Sequence, residues 1–162
     1  MKFLDNIRNL SLVLENAVID AISKQAILSY PNETGGFLVG KYIDDCRTAL
    51  VTAFVLPLKS ESGPMSYKRD TDGMDSLWDE LYKDGLIYLG EWHSHPDGSA
   101  SYSNIDKQAM TNIATSTTVV IRHPIMLISG VSKTRIREYR AYYYNNGQII
   151  EYEQDRDKGS IY

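Results

Sequence analysis

Two histidines and an aspartate in one short stretch are the side chains of this sequence best suited to chemistry. His93 and His95 lie one residue apart in GEWHSHPDGSASYSNID, residues 90–106, and Asp106 closes the stretch. Because residues i and i+2 of a strand point to the same face, both imidazoles are predicted to project together. Two imidazoles and a carboxylate, with a fourth position left for water, are the ligand set of a catalytic zinc. The alternative is two surface histidines beside a turn.

The residues around these three side chains predict a strand, a loop and a helix. The apolar run LIYLGEW before His93 is typical of a strand, and Pro96 is expected to end it. Ser103 is a good N-cap for the helix that follows the loop. Asp106 then falls at the third helical position, where an acid suits the helix dipole. This helix is predicted to run to about Ala114.

The rest of the chain alternates between helical and strand-like patterns. Helices are predicted from about Glu15 to Ser29 and across 74–82, the second closed by Gly85. The polar segment 59–73, which carries Gly, Pro and Ser, is predicted to be a mobile loop. The strands are predicted at 10–14, 37–43, 48–58 (buried on both faces), 86–96, 123–132, 134–145 and 147–154. The last two are joined by an Asn-Gly turn. This pattern predicts an α/β or α+β sandwich.

Composition and charge limit the class of protein. A chain of 162 residues that is 43% hydrophobic and 23% charged predicts one globular domain, here residues 1–154, followed by a polar tail at 155–162. A formal net charge of -4 disfavours a nucleic-acid partner. Cys46 is the only cysteine, which excludes a thiolate metal cage and favours a cytoplasmic location. The sequence shows no signal peptide and no apolar run long enough for a membrane span.

The order of these residues resembles the JAMM motif of the JAB/MPN metalloprotease family. His93-x-His95, a following proline, a small-residue loop, Ser103 and Asp106 agree together, and ETGGFLVG (33–40) lies upstream. The resemblance covers most of the chain, from the first helix to the closing strands. It implies a single JAB/MPN-type domain with a mixed, curved β-sheet flanked by helices, in a cytidine-deaminase-like layout.

The resemblance also implies a role for each residue of the motif. His93, His95 and Asp106 would bind one Zn²⁺ per chain, the only cofactor implied. Such a metal can lower the pKa of its bound water to about 7. Glu33 would act as general acid/base without binding the metal, and Ser103 would donate to the oxyanion. A simpler role is open for three of these residues: a solvated acid before a strand for Glu33, an N-cap only for Ser103, and a partner of the helix dipole only for Asp106.

Four further features have less specific interpretations. Glu91 shares the predicted face of His93, and the sequence assigns it no role. Asp97 is expected to be a turn residue, and His123 a structural histidine. The three tyrosines 142–144 alternate faces in a strand and lack basic neighbours, which favours core and surface tyrosines over a platform for stacking bases.

The resemblance extends to the class of substrate. Members of this family that cut peptide or isopeptide bonds usually act at the C-terminal tail of ubiquitin or a ubiquitin-like protein, and segment 59–73 is placed to help form a groove for such a tail. In length and layout the chain resembles the small JAB peptidases of bacterial antiphage operons of the cyclic-oligonucleotide (CBASS) type, which are encoded beside ubiquitin-transfer-like enzymes. Those peptidases release a protein, such as a nucleotidyltransferase, joined to a target through its C-terminus.

Three alternatives to this function are open. A JAB peptidase that processes a sulfur-carrier precursor or a cell-wall-type peptide needs the same site. A non-catalytic MPN scaffold usually lacks one or more ligands, whereas all five motif residues are present here. The JAMM relatives associated with DNA repair suggest a nucleic-acid role, which the acidic composition disfavours.

Overall fold

The computed structural model describes residues 1–119 and 121–156, so residues 157–162 of the predicted tail lie outside the described residues. Strands and helices alternate through the first two thirds of the chain, and strands close it. The strands are β1 (Lys2–Asp5), β2 (Leu10–Leu14), β3 (Gly35–Ile43), β4 (Thr48–Val55), β5 (Lys59–Gly63), β6 (Ser66–Asp70), β7 (Ile87–Pro96), β8 (Ile125–Ser132), β9 (Arg135–Asn145), β10 (Gln148–Glu151) and β11 (Glu153–Gln154). The helices are α1 (Asn16–Ser29), α2 (Asp75–Lys83) and α3 (Asn104–Ala114).

Nine of these strands form one mixed sheet that curls until its edges come close. The order across the sheet is β10-β9-β8-β7-β3-β4-β2-β1-β11. Strands β10 and β11 are consecutive in the chain yet lie at opposite edges, so the sheet nearly closes on itself. The predicted mixed, curved sheet with flanking helices is therefore confirmed. The single strand predicted at 147–154 is wrong, because buried Tyr152 separates β10 from β11 and donates its N–H to the carbonyl of Ala141 at 2.8 Å.

The core lies on both faces of the sheet, because helices cover each of them. Helix α1 buries Val18, Ile22 and Ala26 against one face, where Trp92 and other core side chains are fully buried. Helix α3 buries Met110 in a smaller cluster beside Tyr142.

Segment 59–73 differs from its prediction. Residues 59–70 form a β-hairpin of strands β5 and β6, joined by the two-residue turn Pro64-Met65, so the predicted loop is wrong there. Strand β1 was not predicted at all. Strand β4 ends at Val55, and its second half is only half-buried, so the predicted burial on both faces is wrong there.

The predicted ends of the helices and of the last hairpin are confirmed. Helix α1 begins after Glu15 and ends at Ser29. Gly85 follows α2 with a φ of 74°, which a glycine adopts at low cost. Asn146 and Gly147 both have positive φ in the turn between β9 and β10, as two-residue hairpins require. No helix in the described part of the chain combines the length and apolar character of a membrane span.

Candidate metal centre

Strand β7 presents the two histidines on one face, as predicted. Glu91, His93 and His95 are half-buried on this face, while Trp92 and Ser94 between them are fully buried on the other. The strand therefore has the alternation of a half-covered sheet, with its titratable side chains on the accessible side.

Asp106 of helix α3 joins the two imidazoles in a compact triangle. The Nε2 atoms of His93 and His95 lie 3.0 Å apart. Oδ1 of Asp106 lies 3.2 Å from Nε2 of His93, and Oδ2 lies 3.7 Å from Nε2 of His95. Within the described residues, these three side chains form a group able to hold a metal ion.

The size of this triangle fits zinc. Ligand atoms at about 2.0–2.1 Å from a tetrahedral zinc are separated from one another by about 3.3 Å. The observed separations of 3.0, 3.2 and 3.7 Å scatter around that edge length. Three protein ligands of this kind leave the fourth tetrahedral position available, as catalytic zinc sites require.

The loop after β7 fixes the tautomer of His95. Nδ1 of His95 lies 2.9 Å from the carbonyl oxygen of Ser99. A carbonyl can only accept a hydrogen bond, so Nδ1 carries the proton and Nε2 keeps a lone pair for a metal. Burial, together with the neighbouring His93, also holds the pKa of His95 below its ordinary value. Both effects favour the neutral imidazole that binds metals.

A capping box holds Asp106 at the start of α3, which confirms the predicted N-cap and its third helical position. The backbone N–H of Ser103 donates to Oδ2 of Asp106 at 2.6 Å, and the N–H of Asp106 donates to Oγ of Ser103 at 3.2 Å. Burial opposes ionisation of this carboxyl, but the bond to His93 and the donors of the box hold its pKa well below the usual range. The carboxylate of Asp106 thus caps helix α3 and at the same time faces the two histidines.

Glu33 reaches the same face from the start of strand β3. Gly35 is paired with His93 in the antiparallel register of β3 and β7. Thr34 anchors the turn, donating its N–H to Oγ of Ser94 at 3.1 Å and accepting from the N–H of Ser94 at 2.8 Å. Burial raises the pKa of the half-buried Glu33, which also senses the charges of His93 and Asp106. These interactions place its carboxyl near the triangle.

The two glycines after Glu33 are required by close packing. Adjacent glycines indicate either unusual dihedrals or a close approach of the backbone, and here the backbone approach is close. A Cβ on Gly35 would lie 2.4 Å from the carbonyl oxygen of Trp92, and one on Gly36 would lie 2.4 Å from that of Val55. A side chain on Gly35 would push β3 away from β7 and move Glu33 with it, and one on Gly36 would push β3 away from β4.

Three residues beside the site were not assigned by the sequence. The Arg69 guanidinium of β6 pairs with the Glu91 carboxylate, which also accepts from the Tyr88 hydroxyl at 3.2 Å. Burial raises the pKa of Glu91, and Arg69 partly offsets that rise. The sequence carried only one hint of this arrangement, namely that Glu91 shares the face of His93.

The remaining candidates lie outside the triangle. Asp97 has a φ of 55° and accepts from Arg137 and Tyr30 at 3.0 and 2.7 Å, which agrees with the predicted turn residue. His123 packs edge-to-face against Tyr143, with 5.7 Å between ring centroids, as a structural histidine would. Tyr142 and Tyr143 are buried in separate clusters, so they form no exposed stacking platform.

Comparison with known proteins agrees with this fold. Residues 15–142 match the family described as prokaryotic homologs of the JAB domain. The chain belongs to this family. A curated protein from Enterobacter hormaechei, described as a CD-NTase/cGAS isopeptidase, is a relative of this JAB protein. It is 35% identical over 121 residues, which cover 74% of this chain and 67% of the relative. The resemblance derived from the motif is therefore confirmed.

Two solution structures share the fold of this JAB protein. A protein from Desulfitobacterium hafniense superposes with a TM-score of 0.63 at 20% identity, covering 88% of this chain and 90% of its own. A protein from Salinibacter ruber superposes with a TM-score of 0.58, also at 20% identity, covering 91% and 94%. At this identity the likeness establishes the shared fold alone.

Proposed function

We propose that this JAB protein is a zinc-dependent isopeptidase of a bacterial CBASS antiphage system. It hydrolyses the bond after the C-terminus of a nucleotidyltransferase or ubiquitin-like protein that is conjugated to a target. The observation that carries the proposal is the triangle of His93, His95 and Asp106, whose size and donor types fit a catalytic zinc. The relative described as a CD-NTase/cGAS isopeptidase supports the choice of substrate.

Three side chains would hold the metal, and the chain itself prepares two of them. His95 is fixed in the required tautomer by Ser99, and Asp106 is held ionised by His93 and by the capping box. Zinc bound here would supply a water of lowered pKa and a positive charge that polarises the scissile carbonyl. The half-buried setting limits access of bulk water and strengthens these electrostatic effects.

Glu33 is the proposed general acid/base. In hydrolysis the water oxygen bonds to the carbonyl carbon, the C–N bond breaks, and one proton of the water must reach the leaving nitrogen. Glu33 accepts that proton and later delivers it to the amine. Its raised pKa suits both halves of this transfer, because a carboxyl with a raised pKa is a stronger base and remains able to release the proton.

Ser103 is the proposed oxyanion donor. Its oxygen accepts the N–H of Asp106, so its own hydroxyl proton is not used in the capping box. The side chain is exposed beside the triangle and can therefore reach a bound carbonyl. One such donor contributes on the order of 10²–10³ in kcat in other hydrolases.

The substrate is an extended C-terminal tail joined to a lysine or another amine. Hairpin β5–β6 forms a small sheet of its own, and a strand edge of that kind can pair with an extended peptide. The partners proposed with it are a nucleotidyltransferase or ubiquitin-like protein and a ubiquitin-transfer-like enzyme encoded nearby. The proposed location is the cytoplasm, with no membrane or nucleic-acid partner.

A trapping experiment tests this function. The Glu33→Ala protein, expressed with its genomic neighbours, is expected to retain zinc and to hold an uncleaved conjugate that mass spectrometry can identify. The wild-type protein should cleave the same conjugate, and a chelator should stop it. Capture of a sulfur-carrier precursor or a cell-wall peptide would move the substrate to another class. A protein without stoichiometric metal and without chelator sensitivity would be a scaffold, and the proposal would be wrong.

A further inference from the structure

Hairpin β5–β6 has no strand neighbour in the large sheet. Its strands pair only with each other, and most of their residues are exposed. A two-stranded hairpin of this kind is marginally stable by itself. Its position therefore depends on the contacts that it makes with the body of the protein.

Three polar contacts fasten the hairpin to the strands that carry the site. The carbonyl oxygen of Gly63 accepts from the N–H of Glu33 at 2.8 Å. The hydroxyl of Tyr67 donates to the carbonyl oxygen of Gly35 at 2.7 Å. The guanidinium of Arg69 pairs with the carboxylate of Glu91. Two of the contacts hold the turn that carries Glu33, and the third holds β7.

The face of the hairpin that turns inward is defined by the spacing of its residues. Tyr67 and Arg69 are two residues apart in β6, so both point to the body, while Lys68 between them points outward and is exposed. Tyr67 packs so closely that a Cβ on Gly35 would lie 2.9 Å from its ring. Only the face of the hairpin that carries Tyr67 and Arg69 therefore packs against the ETGG turn and the strands beside it.

The Arg69–Glu91 pair is largely shielded from water. Its side chains are 23% and 14% exposed, and the hydroxyl of Tyr88 also donates to the carboxylate. The Arg69 guanidinium lies over the ring of Phe37, 5.8 Å from its centroid. A pair in this setting is weakly screened and geometrically constrained, unlike an exposed pair.

We propose that the Arg69–Glu91 pair is a positioning element for Glu33. It docks hairpin β5–β6 onto β7, and the docked hairpin fixes the Glu33 turn through Gly63 and Tyr67. The inference rests on the proposed function, in which Glu33 moves the proton. Position matters for that step because a displacement of about 1 Å can cost on the order of a hundredfold in rate.

Amide hydrogen exchange tests the docking without any substrate. In Arg69→Met, which removes the charge and keeps much of the side-chain volume, the Glu33 amide should lose about tenfold or more of its protection as its bond to Gly63 opens. The amide of buried Tyr152, bonded to the carbonyl of Ala141 in β9 and remote from the hairpin, should stay protected and reports that the fold is intact. Lys68→Met, the neighbouring outward residue, is the matched control and should match the wild type.

Kinetics test the consequence for the reaction. With a nucleotidyltransferase joined through its C-terminus to a lysine of a carrier protein, Arg69→Met should lower kcat about ten- to a hundredfold while KM changes less than about twofold. Glu91→Gln, which keeps the acceptor but not the charge, should give a smaller loss, and Arg69→Lys should recover part of the activity. In a Glu33→Ala background, Arg69→Met should cause no further loss, because the pair acts through Glu33.

The outcomes separate this inference from the proposed function. Unchanged Glu33 exchange or unchanged kcat in Arg69→Met, with Glu33→Ala inactive, would overturn the positioning role alone. A full additional loss from Arg69→Met in the Glu33→Ala background would show that the pair acts through another group and would also overturn it. Wild-type activity of Glu33→Ala would instead overturn the catalytic assignment of Glu33.

Discussion

Substitutions at Ser103 can separate its two proposed roles, helix cap and oxyanion donor. Ser103→Ala removes the oxygen that accepts the Asp106 N–H at 3.2 Å. Loss of an N-cap costs about 0.5–2 kcal/mol. Because Ser103 is exposed, water can replace part of the lost bond, and we expect about 1 kcal/mol. For a chain of this length that corresponds to a fall of roughly 2–4 °C in Tm.

This loss of stability is too small to explain a large loss of rate. A domain stable by about 5–15 kcal/mol remains almost entirely folded after losing 1 kcal/mol. If Ser103 also donates to the oxyanion, Ser103→Ala should lower kcat by about 10²–10³. Two effects of such different size can be measured in the same variant.

Two other substitutions at Ser103 serve as matched controls. Asp and Asn are both good N-caps, so the free energies of unfolding of Ser103→Asp and Ser103→Asn should lie within about 0.5 kcal/mol of the wild-type value. The carboxylate of Asp cannot donate and repels an oxyanion, so Ser103→Asp should remain as slow as Ser103→Ala or slower. The amide of Asn can donate, and it should recover part of the rate.

The measurements are thermal unfolding, zinc content and kcat for the conjugate substrate. Zinc content should be unchanged in all three variants, because Oδ2 of Asp106 still accepts the Ser103 backbone N–H at 2.6 Å in each. If Ser103→Ala keeps wild-type kcat, Ser103 is a cap only. If Ser103→Asp recovers activity as well as stability, the rate depends on the helix end and the oxyanion role is wrong.

Three further predictions concern the metal, the sheet and the pH dependence of stability. A chelator should lower the Tm of the zinc-loaded wild type but not that of His95→Ala. The reason is that a ligand bound only to the folded state adds about 2.7 kcal/mol to the free energy of unfolding at a hundred times its Kd. Equal shifts in the two proteins would refute zinc binding at this site. Gly90→Ala should destabilise the protein by about 3 kcal/mol in denaturant titrations, because its Cβ would lie 2.1 Å from the carbonyl oxygen of Ile125 at a φ of 148°. Gly147 has open space around it, so Gly147→Ala should lower the free energy of unfolding by only about 1 kcal/mol. Similar losses in Gly90→Ala and Gly147→Ala would contradict the packing argument. Burial and the bond to Asp5 raise the pKa of Tyr143 to about 12. The folded state therefore holds this proton more tightly than the unfolded state does. The free energy of unfolding should fall by up to about 3 kcal/mol as the pH rises from about 10 to 12. In Tyr143→Phe the free energy of unfolding should fall less over that pH window. If it falls as much as in the wild type, the pH dependence belongs to other groups.

The triangle of candidate ligands was predictable because each of its three residues obeys a local rule. The pair His93 and His95 needs only the alternation of a strand, and Asp106 needs only its place three residues after an N-cap. Both rules act over a few residues and are hardly affected by the rest of the fold. The structure bears out the strand, the cap and the third helical position of Asp106, and it adds the capping box.

The position of Glu33 could not be derived in this way. It depends on the antiparallel register that pairs Gly35 with His93, far along the chain, and a one-residue slip would turn β3 over. Only the resemblance to a known family pointed to this glutamate. The structure adds the packing around this turn: Gly35 lets β3 approach β7, and Gly36 lets it approach β4, until only a bare Cα fits.

Hairpin β5–β6 was missed for a related reason. A strand is recognised in a sequence by one apolar face, and this hairpin has none, because most of its residues are exposed and polar. What holds it is a set of single contacts, Gly63 to Glu33, Tyr67 to Gly35 and Arg69 to Glu91, and none leaves a periodic pattern. The part of the site that is hardest to predict is therefore the part joined by long-range polar contacts. An element held in this way can move when one contact is lost, which is why the test of Arg69 bears on the turn that carries Glu33 and not on the core.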